Sequence, residues 1–140
     1  MKSILFICVE NRARSQMAEG LARHFLGHQF DIFSAGAQPA KKIHPLAKAV
    51  MAEVGVDISG QRPKGIDEIP IDNIQLAVTL CAPNMCPALP PHIKTQHWVI
   101  SDPVSSLVPG PLLIKKFRKV RDEIKKKILD LRSAQQNWQL

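Results

Sequence analysis

Short β-rich runs alternate with amphipathic helical patterns along this chain, and this alternation restricts the fold more than any other feature. The first run, Ile4–Cys8, is continuously apolar, which is typical of a strand buried on both faces of a parallel sheet. Alternating strands and helices indicate an α/β fold with a parallel sheet, in which ligands bind beyond the carboxyl ends of the strands. The pattern predicts four strands, at Ile4–Cys8, Asp31–Ala35, Leu76–Leu80 and Gln96–Ile100.

Three helices are predicted to connect and follow these strands. The first follows a loop through Arg14 and ends at Gly27, the second runs from Pro45 to Gly55, and the third runs from about Leu112 to Ser133. Residues 56–75 carry several glycines and prolines, so only short helical turns are expected there. The 140 residues contain no internal repeat or linker, and we expect a single domain over residues 1–140.

The charge of the chain favours anionic partners. Nineteen basic residues against twelve acidic ones give a net charge of +7, and nine of the basic residues lie within 115–132. Apolar residues repeat at helical spacing through the same segment, so we interpret it as the solvated face of an amphipathic helix. An acidic protein partner and nucleic acid are the alternatives. The aromatic residue within this segment, Phe117, belongs to the apolar stripe, so the stacking residues of single-strand binding are missing and nucleic acid is not an expected partner.

Three cysteines are an odd and sparse set, unlike the paired cysteines of a secreted disulfide scaffold. No apolar run reaches the length of a membrane span, and no secretion signal is recognisable. We therefore expect a cytoplasmic protein with no membrane partner, whose cysteines are either buried or chemically active.

The segment from Cys8 to Ser15 carries the clearest chemical signal. It lies between a buried strand and an amphipathic helix, where a short loop turns successive N–H groups inward at a helix N-terminus. Such a cradle fits a tetrahedral oxyanion, with Arg14 gripping two oxygens and Cys8 favoured as a thiolate nucleophile. Ser15 is placed to donate a hydrogen bond to the sulfur, and Asn11 tolerates a left-handed backbone. The alternative is an inert, buried Cys8 that ends a core strand, with solvent-facing arginines.

At this point the sequence resembles the low-molecular-weight protein tyrosine phosphatase superfamily, and within it the thioredoxin-coupled arsenate reductases. The similarity begins with the Cys8–Ser15 segment and Gln16-Met17-Ala18-Glu19-Gly20, and covers roughly residues 3–127. It continues through Ser34-Ala35-Gly36, His44-Pro45, Asp57-Ile58-Ser59, Val78-Thr79-Leu80-Cys81, Cys86-Pro87, His97-Trp98, Asp102-Pro103 and Arg121-Asp122-Glu123-Ile124.

The resemblance implies a three-layer sandwich, with the sheet flanked by helices, and a relay of three cysteines that reduces arsenate to arsenite. In this relay Cys8 attacks arsenate, which is held by Arg14 and by the loop residues Val9, Glu10, Asn11, Arg12 and Ala13, while Asp102 aids the loss of water. Cys81 then attacks Cys8, and Cys86 attacks Cys81 to leave a Cys81–Cys86 disulfide that thioredoxin reduces. The resemblance implies no cofactor and no metal, with phosphate or sulfate as competing oxyanions. We expect a monomer.

Two other functions stay open. A phosphatase acting on phosphotyrosine or another phosphomonoester needs only Cys8, Arg14 and Asp102. A non-catalytic anion sensor or metal-binding regulator is the third possibility, because Cys81, Cys86, His92 and His97 form a candidate zinc set at unusually short spacing.

The sequence departs from the family pattern at three places. Glu10 stands where the family often has glycine, and its carboxylate opposes an anion unless Arg12 neutralises it. Only four residues separate Cys81 from Cys86, so the loop between them has little slack. Asn11, Glu19 and Ser34 match a potassium site of some relatives, but Lys64 replaces its aspartate, and we predict no potassium requirement.

Overall fold

The computed structural model describes residues 2–105 and 107–134; Met1, Ser106 and residues 135–140, with Trp138, lie outside them. Four strands and three α-helices alternate along the chain, apart from β3 and β4, which follow one another. The strands are β1 (Lys2–Cys8), β2 (Phe30–Gly36), β3 (Leu76–Thr79) and β4 (Lys94–His97). The helices are α1 (Arg14–Leu26), α2 (Pro45–Ala52) and α3 (Gly110–Ala134). This order confirms the predicted α/β class.

All strand pairs are parallel, and the sheet has the order β2-β1-β3-β4. Strand β1 is central because its apolar run has no polar face to expose: Ile4, Leu5, Phe6 and Ile7 are fully buried. Burying one such side chain contributes about 1.5–3 kcal/mol. The carboxyl ends of β1, β2 and β3 meet at one edge of the sheet, which is where the chain turns into its polar loops.

The two faces of the sheet are covered differently. Ile4, Phe6 and Cys8 point into a core shared with all three α-helices. Leu5 and Ile7 point to the other face, which packs against apolar residues of 66–74 and against Leu89 and Ile93. Within that segment lie two short 3-10 helices, Ile66–Glu68 and Ile71–Asn73, as expected from its glycines and prolines. Short turns therefore form the layer opposite the α-helices.

Strand β4 is displaced from its predicted position. The expected range was Gln96–Ile100, but the ladder to β3 spans Lys94–His97 and ends because β3 itself ends at Thr79. The side chains of the strand are polar and largely exposed, whereas those of Trp98 and Ile100, which follow it, are buried. Apolar character therefore indicated the buried residues Trp98 and Ile100, whereas polar residues form the strand itself.

The predicted helices are present with small changes at their ends. Helix α2 stops at Ala52, and the turn after it reaches Gly55, whose φ of 77° is in the left-handed region that favours glycine. Helix α3 buries the predicted apolar stripe, including Phe117, Ile124 and Ile128, against the core. In the described part of the chain, no helix is long and apolar enough to span a bilayer.

Candidate active site

The loop between β1 and α1 turns its carbonyl oxygens outward. Four of them accept hydrogen bonds from backbone N–H groups of the segment 37–44 that follows β2. These bonds run from Ala37 to Cys8 (3.3 Å), Gln38 to Val9 (2.8 Å), Ala40 to Glu10 (2.9 Å) and His44 to Arg12 (2.8 Å).

Outward carbonyls fix the direction of the next N–H groups. In a planar trans peptide the N–H points opposite to the preceding C=O. The N–H groups of Val9, Glu10, Asn11 and Ala13 are therefore turned toward the centre of the loop, where helix α1 also directs its N-terminus. The arrangement is a cradle for an anion, and Asn11 N–H lies 3.3 Å from the Cys8 sulfur.

Asn11 is the residue on which the loop turns. Its φ of 53° is left-handed, and it is the only non-glycine with positive φ among residues 2–105 and 107–134. Its buried side chain is fully engaged: Nδ2 donates to the hydroxyls of Ser15 (2.7 Å) and Ser34 (3.0 Å). Asparagine tolerates this conformation better than most residues because its short side chain can hydrogen-bond locally.

Ser15 Oγ lies 2.8 Å from the Cys8 sulfur, and both groups are buried. Because Ser15 Oγ already accepts a hydrogen bond from Asn11, its own hydrogen can point at the sulfur. Together with Asn11 N–H, this hydroxyl gives the sulfur two donors, and hydrogen bonds to a charged acceptor are stronger than those to a neutral one.

Arg14 is anchored by two carbonyl oxygens at the carboxyl edge of the sheet. Its Nη1 donates to Leu80 O (2.6 Å) and to Ile100 O (3.0 Å), and its side chain is mostly buried. Nη2 lies 3.8 Å from an Asp102 carboxylate oxygen, so the second arm of the guanidinium faces the cavity rim. Asp102 itself is about half exposed and accepts a hydrogen bond from Val104 N–H.

These groups enclose a cavity of about 220 Å³. Cys8 lies in its wall with Val9, Glu10, Arg12, Ala13 and Arg14, and Met85 and Asp102 complete the lining. Glu10 forms an ion pair with Arg12, and the positive charge of Arg12 offsets the carboxylate that would otherwise repel an anion in this cavity. The structure thus places Cys8, Arg14, Ser15 and Asp102 together.

Cys81 and Cys86 are joined in a disulfide, with Cα atoms 6.1 Å apart, while Cys8 is a free and buried thiol. A 3-10 turn, Pro83–Met85, closes the short loop between them. Leu80 N–H donates to Ile7 O, so Cys8, the last residue of β1, and Cys81, just past the end of β3, lie at the ends of adjacent strands. A second cavity of about 340 Å³ has Cys81, Arg14 and Asp102 in its wall and lies beside the first.

The candidate zinc set is not assembled. Cys81 and Cys86 bond to each other, and the His97 ring contacts the Thr79 hydroxyl. Among residues 2–105 and 107–134, no group of three or more histidine, cysteine, aspartate or glutamate side chains could hold a metal ion.

Lys64 lies where the sequence comparison with potassium-binding relatives placed it. Its ammonium is 3.4 Å from Glu19 Oε1, which also accepts a hydrogen bond from Ser34 (2.6 Å). Its backbone N–H donates to Asn11 Oδ1 (3.0 Å). The ammonium group of Lys64 therefore lies near Asn11, Glu19 and Ser34, the three residues that match the potassium site of some relatives.

Two further groups around the loop were not predicted. Gln16 is fully buried and donates to Asn11, and a position on the inward face of an amphipathic helix gives only a weak indication of this role. His44 caps α2, because its Nδ1 accepts from Leu46 N–H (3.1 Å), and its ring packs on Phe117. Burial and the neighbouring Arg12 lower the pKa of His44, although Asp102 acts in the opposite direction. The lowered pKa favours the neutral form of His44 that caps the helix.

Comparison with known proteins identifies relatives over nearly the whole chain. An arsenate reductase of Bacillus subtilis (strain 168) is 43% identical over 125 residues, which cover 88% of this chain and 89% of that protein. Arsenate reductase 2 of Staphylococcus haemolyticus (strain JCSC1435) is 43% identical over 126 residues, covering 89% of this chain and 91% of the relative.

Solved structures give the same relationship. An arsenate reductase in the phosphate binding state superposes with a TM-score of 0.78 at 33% identity, covering 95% of this chain and 98% of that one. A thioredoxin-dependent arsenate reductase of Corynebacterium glutamicum superposes with a TM-score of 0.79 at 29% identity. That comparison covers 99% of this chain and 64% of the longer protein.

The low molecular weight phosphotyrosine protein phosphatase family matches residues 3–138. The match spans the cradle loop, the sheet and all three helices. With a family match of this length and relatives above 40% identity, the chain belongs to the low molecular weight phosphotyrosine protein phosphatase family.

Proposed function

We propose that this chain is an arsenate reductase regenerated by thioredoxin. The observation that carries the proposal is the pairing of a free, buried Cys8 in an anion cradle with a Cys81–Cys86 disulfide at the neighbouring strand end. The relatives named above are arsenate reductases, and one of them is thioredoxin-dependent. A phosphatase uses a cradle of this kind but has no need of the disulfide.

The first step forms a bond between sulfur and arsenic. The Cys8 thiolate attacks arsenate, and an arsenic–oxygen bond breaks to release water after protonation by Asp102. Arg14 and the inward N–H groups of Val9, Glu10, Asn11 and Ala13 hold the remaining oxygens, while the Ser15 hydroxyl stabilises the Cys8 thiolate before it attacks. Arg12 compensates the charge of Glu10 through their ion pair.

The next steps move two electrons to arsenic. Cys81 attacks the Cys8 sulfur, the electron pair of the sulfur–arsenic bond stays on arsenic, and arsenite leaves as a Cys8–Cys81 disulfide forms. Cys86 then attacks Cys81, which restores the Cys8 thiolate and yields the Cys81–Cys86 disulfide. The two thiols of thioredoxin reduce that disulfide and are oxidised in turn, so each arsenate consumes one dithiol.

The setting of the reaction follows from its chemistry. The relay requires reduced thiols at the start of each turnover, so we place it in the cytoplasm. Every residue of the relay lies in one chain, so a monomer suffices. No step requires a metal or an organic cofactor, and phosphate or sulfate competes for the same cradle.

The Cys86→Ser variant tests the relay against the phosphatase alternative. With arsenate and excess thioredoxin system, the variant should form at most one arsenite per protein molecule, whereas the unchanged chain turns over repeatedly. Hydrolysis of an aryl phosphate, if present, should be the same in both. Repeated arsenite formation by the variant would contradict the relay.

A further inference from the structure

The side-chain amide of Gln16 is buried and lies among four hydrogen-bonding partners. It lies in the first turn of α1 and is fully buried. Its Nε2 faces three oxygens: Asn11 O (3.0 Å), Asn11 Oδ1 (2.9 Å) and Arg62 O (2.9 Å). Its Oε1 accepts from Gln61 Nε2 at 2.8 Å. Such a set of bonds fixes the amide in one orientation.

The partners of Gln16 determine which atom donates and which accepts in each of these hydrogen bonds. Backbone carbonyl oxygens only accept hydrogen bonds, so Nε2 of Gln16 must be the atom that faces Asn11 O and Arg62 O. Gln61 Nε2 likewise donates to the backbone oxygen of Gln16 (3.0 Å). Donation therefore runs one way, from Gln61 to Gln16 and from Gln16 to Asn11.

From Asn11 the same direction continues to the sulfur by two routes. Its backbone N–H points at Cys8 Sγ, and its Nδ2 donates to Ser15 Oγ, which leaves the Ser15 hydrogen for the sulfur. Both routes depend on the left-handed conformation of Asn11, because another φ would turn its N–H away from Cys8. Gln16 holds that conformation from both sides by binding the main-chain and the side-chain oxygen of Asn11.

We propose that Gln16 is a positioning residue, which keeps Asn11 in the conformation that directs hydrogen bonds to the Cys8 thiolate. The proposal deepens the proposed function and rests on Cys8 as its nucleophile. Gln16 touches neither the sulfur nor the cavity wall, so it acts through Asn11. Gln61 and the backbone of residues 62–64 complete the support, since Lys64 N–H also donates to Asn11 Oδ1.

The Gln16→Met variant removes the donors while keeping a side chain of similar length. We test it by the rate at which iodoacetamide alkylates Cys8 at neutral pH, which reports the stabilised thiolate. In the disulfide form of the protein Cys8 is the free thiol, and mass spectrometry confirms that one label is added. The expected result is alkylation about tenfold slower, the scale of one hydrogen bond to a charged group.

Two companion variants make the result specific. Gln61→Met removes the donor to Gln16 at a half-buried site, and we expect it to slow alkylation about threefold. This variant tests the proposal even if Gln16→Met does not fold. Gln75→Met is the matched control: Gln75 accepts from Ser3 N–H at the opposite end of β1, and its loss should leave the alkylation rate unchanged.

A double-mutant cycle separates positioning from general support of the fold. With Asn11→Ala already present, Gln16→Met should slow alkylation by less than about twofold, because the two residues act in series. If each substitution only weakened the fold independently, the two reductions in alkylation rate would instead multiply. Equal rates for Gln16→Met and the unchanged protein, equal slowing by Gln75→Met, or a multiplicative cycle would each overturn the proposal.

The alkylation assay needs neither arsenate nor thioredoxin. If the chain failed to reduce arsenate while the alkylation rates followed the expected order, the proposed function would fall and Gln16 would keep its role. If arsenate reduction proceeded and the rates did not follow that order, only the role of Gln16 would be lost.

Discussion

The Cys8 sulfur receives its hydrogen bonds from the loop that also forms the anion cradle. Asn11 N–H and the Ser15 hydroxyl approach it inside the protein, while Arg14 is held a short distance away by the Leu80 and Ile100 carbonyls. Nucleophile and anion therefore share one rigid set of donors.

In the proposed reaction, the loss of water from arsenic depends on Asp102, which lines the cavity beside Arg14. The Asp102→Asn variant keeps the size and polarity of the side chain but removes its acidic proton, so we expect formation of the first arsenite to slow by about 100-fold or more. Phosphate affinity should change little, because the Leu80 and Ile100 carbonyls still hold Arg14 and the cradle is unchanged. Rapid-quench measurement of arsenite in a single turnover checks this, and an unchanged rate would remove Asp102 from the reaction.

Lys64 supplies a positive charge at the site matched to potassium in some relatives. Its ammonium and Arg23 share the buried Glu19 carboxylate. We therefore expect phosphate to bind equally well in KCl and NaCl at the same ionic strength. Without the ammonium the buried carboxylate lacks part of its compensation, so Lys64→Asp should bind phosphate about tenfold more weakly in NaCl and recover partly in KCl.

Calorimetric titration with phosphate in the two salts measures both effects. A marked preference of the unchanged protein for KCl would contradict the assignment of Lys64. Lys48→Asp, an exposed change of the same kind on α2, is the control for altered net charge.

Spacing along the chain was sufficient to predict Cys8, Arg14 and Ser15 as neighbours, because a six-residue loop closing onto a helix returns to its start. Gln16 was not predicted as part of this group. Its acceptors include Arg62 O, which is distant in sequence, and only the folded chain brings that segment to α1. Local patterns thus reveal groups built by one loop and miss groups built between segments.

At the scale of elements, α2 and α3 are tied together by Glu53. Its carboxylate accepts from Arg118 (2.8 Å) and Arg121 (2.7 Å), and Arg121 also donates to Val50 O. Helical spacing predicted the apolar stripe of α3 correctly, but it gave no sign that Arg121 is buried beside that stripe. Its partners lie on another helix, and hydropathy alone places an arginine outside.

This tie predicts a specific acid sensitivity. The hydrogen bonds from Arg118 and Arg121 lower the pKa of Glu53 from 4.5 to about 2. Because the pKa is lower in the folded state, the carboxylate contributes stability above its unfolded pKa, and this contribution is lost as pH falls through the folded pKa. Between pH 4.5 and about 2, Glu53→Gln should therefore lose less stability than the unchanged protein.

Urea unfolding at several pH values across this interval measures the difference between the two proteins. Glu123→Gln is the matched control, because it removes a carboxylate from α3 that is not part of the tie. Parallel loss of stability in the Glu53→Gln and unchanged proteins would show that the tie does not contribute to the acid response.

The β4 prediction failed for a related reason. Strand β4 is an edge strand with polar side chains, and its limits depend on where β3 stops offering hydrogen bonds. The last residue of β3 therefore sets the end of β4, and the sequence of β4 alone does not predict it. The central strand β1, buried on both faces, was predicted to within two residues at its start and correctly at its end.

At the scale of the whole molecule, positive charge is concentrated on the outer face of α3. Arg118 and Arg121 are engaged with Glu53, and Lys125 and Arg132 lie over the Phe25 ring. The exposed lysines of this helix face solvent, namely Lys115, Lys116, Lys119, Lys126 and Lys127. Combined with a net charge of +7, this surface attracts anionic partners over a distance.

This field predicts that salt slows the reaction with thioredoxin. The second-order rate constant for reduction of the Cys81–Cys86 disulfide should fall severalfold as ionic strength rises from about 0.02 to 0.5 M, since screening shortens the Debye length. Dithiothreitol, which is uncharged, provides the control and should show no such fall. Salt-independent rates with thioredoxin would exclude electrostatic attraction as a factor in this encounter.

The most direct test of the central claim is consumption of NADPH by the purified protein with thioredoxin, thioredoxin reductase and arsenate. We predict sustained NADPH oxidation that requires arsenate and stops in the Cys8→Ser, Cys81→Ser and Cys86→Ser variants. No arsenate-dependent oxidation, together with hydrolysis of a simple aryl phosphate, would contradict the relay and assign the cradle to a phosphatase.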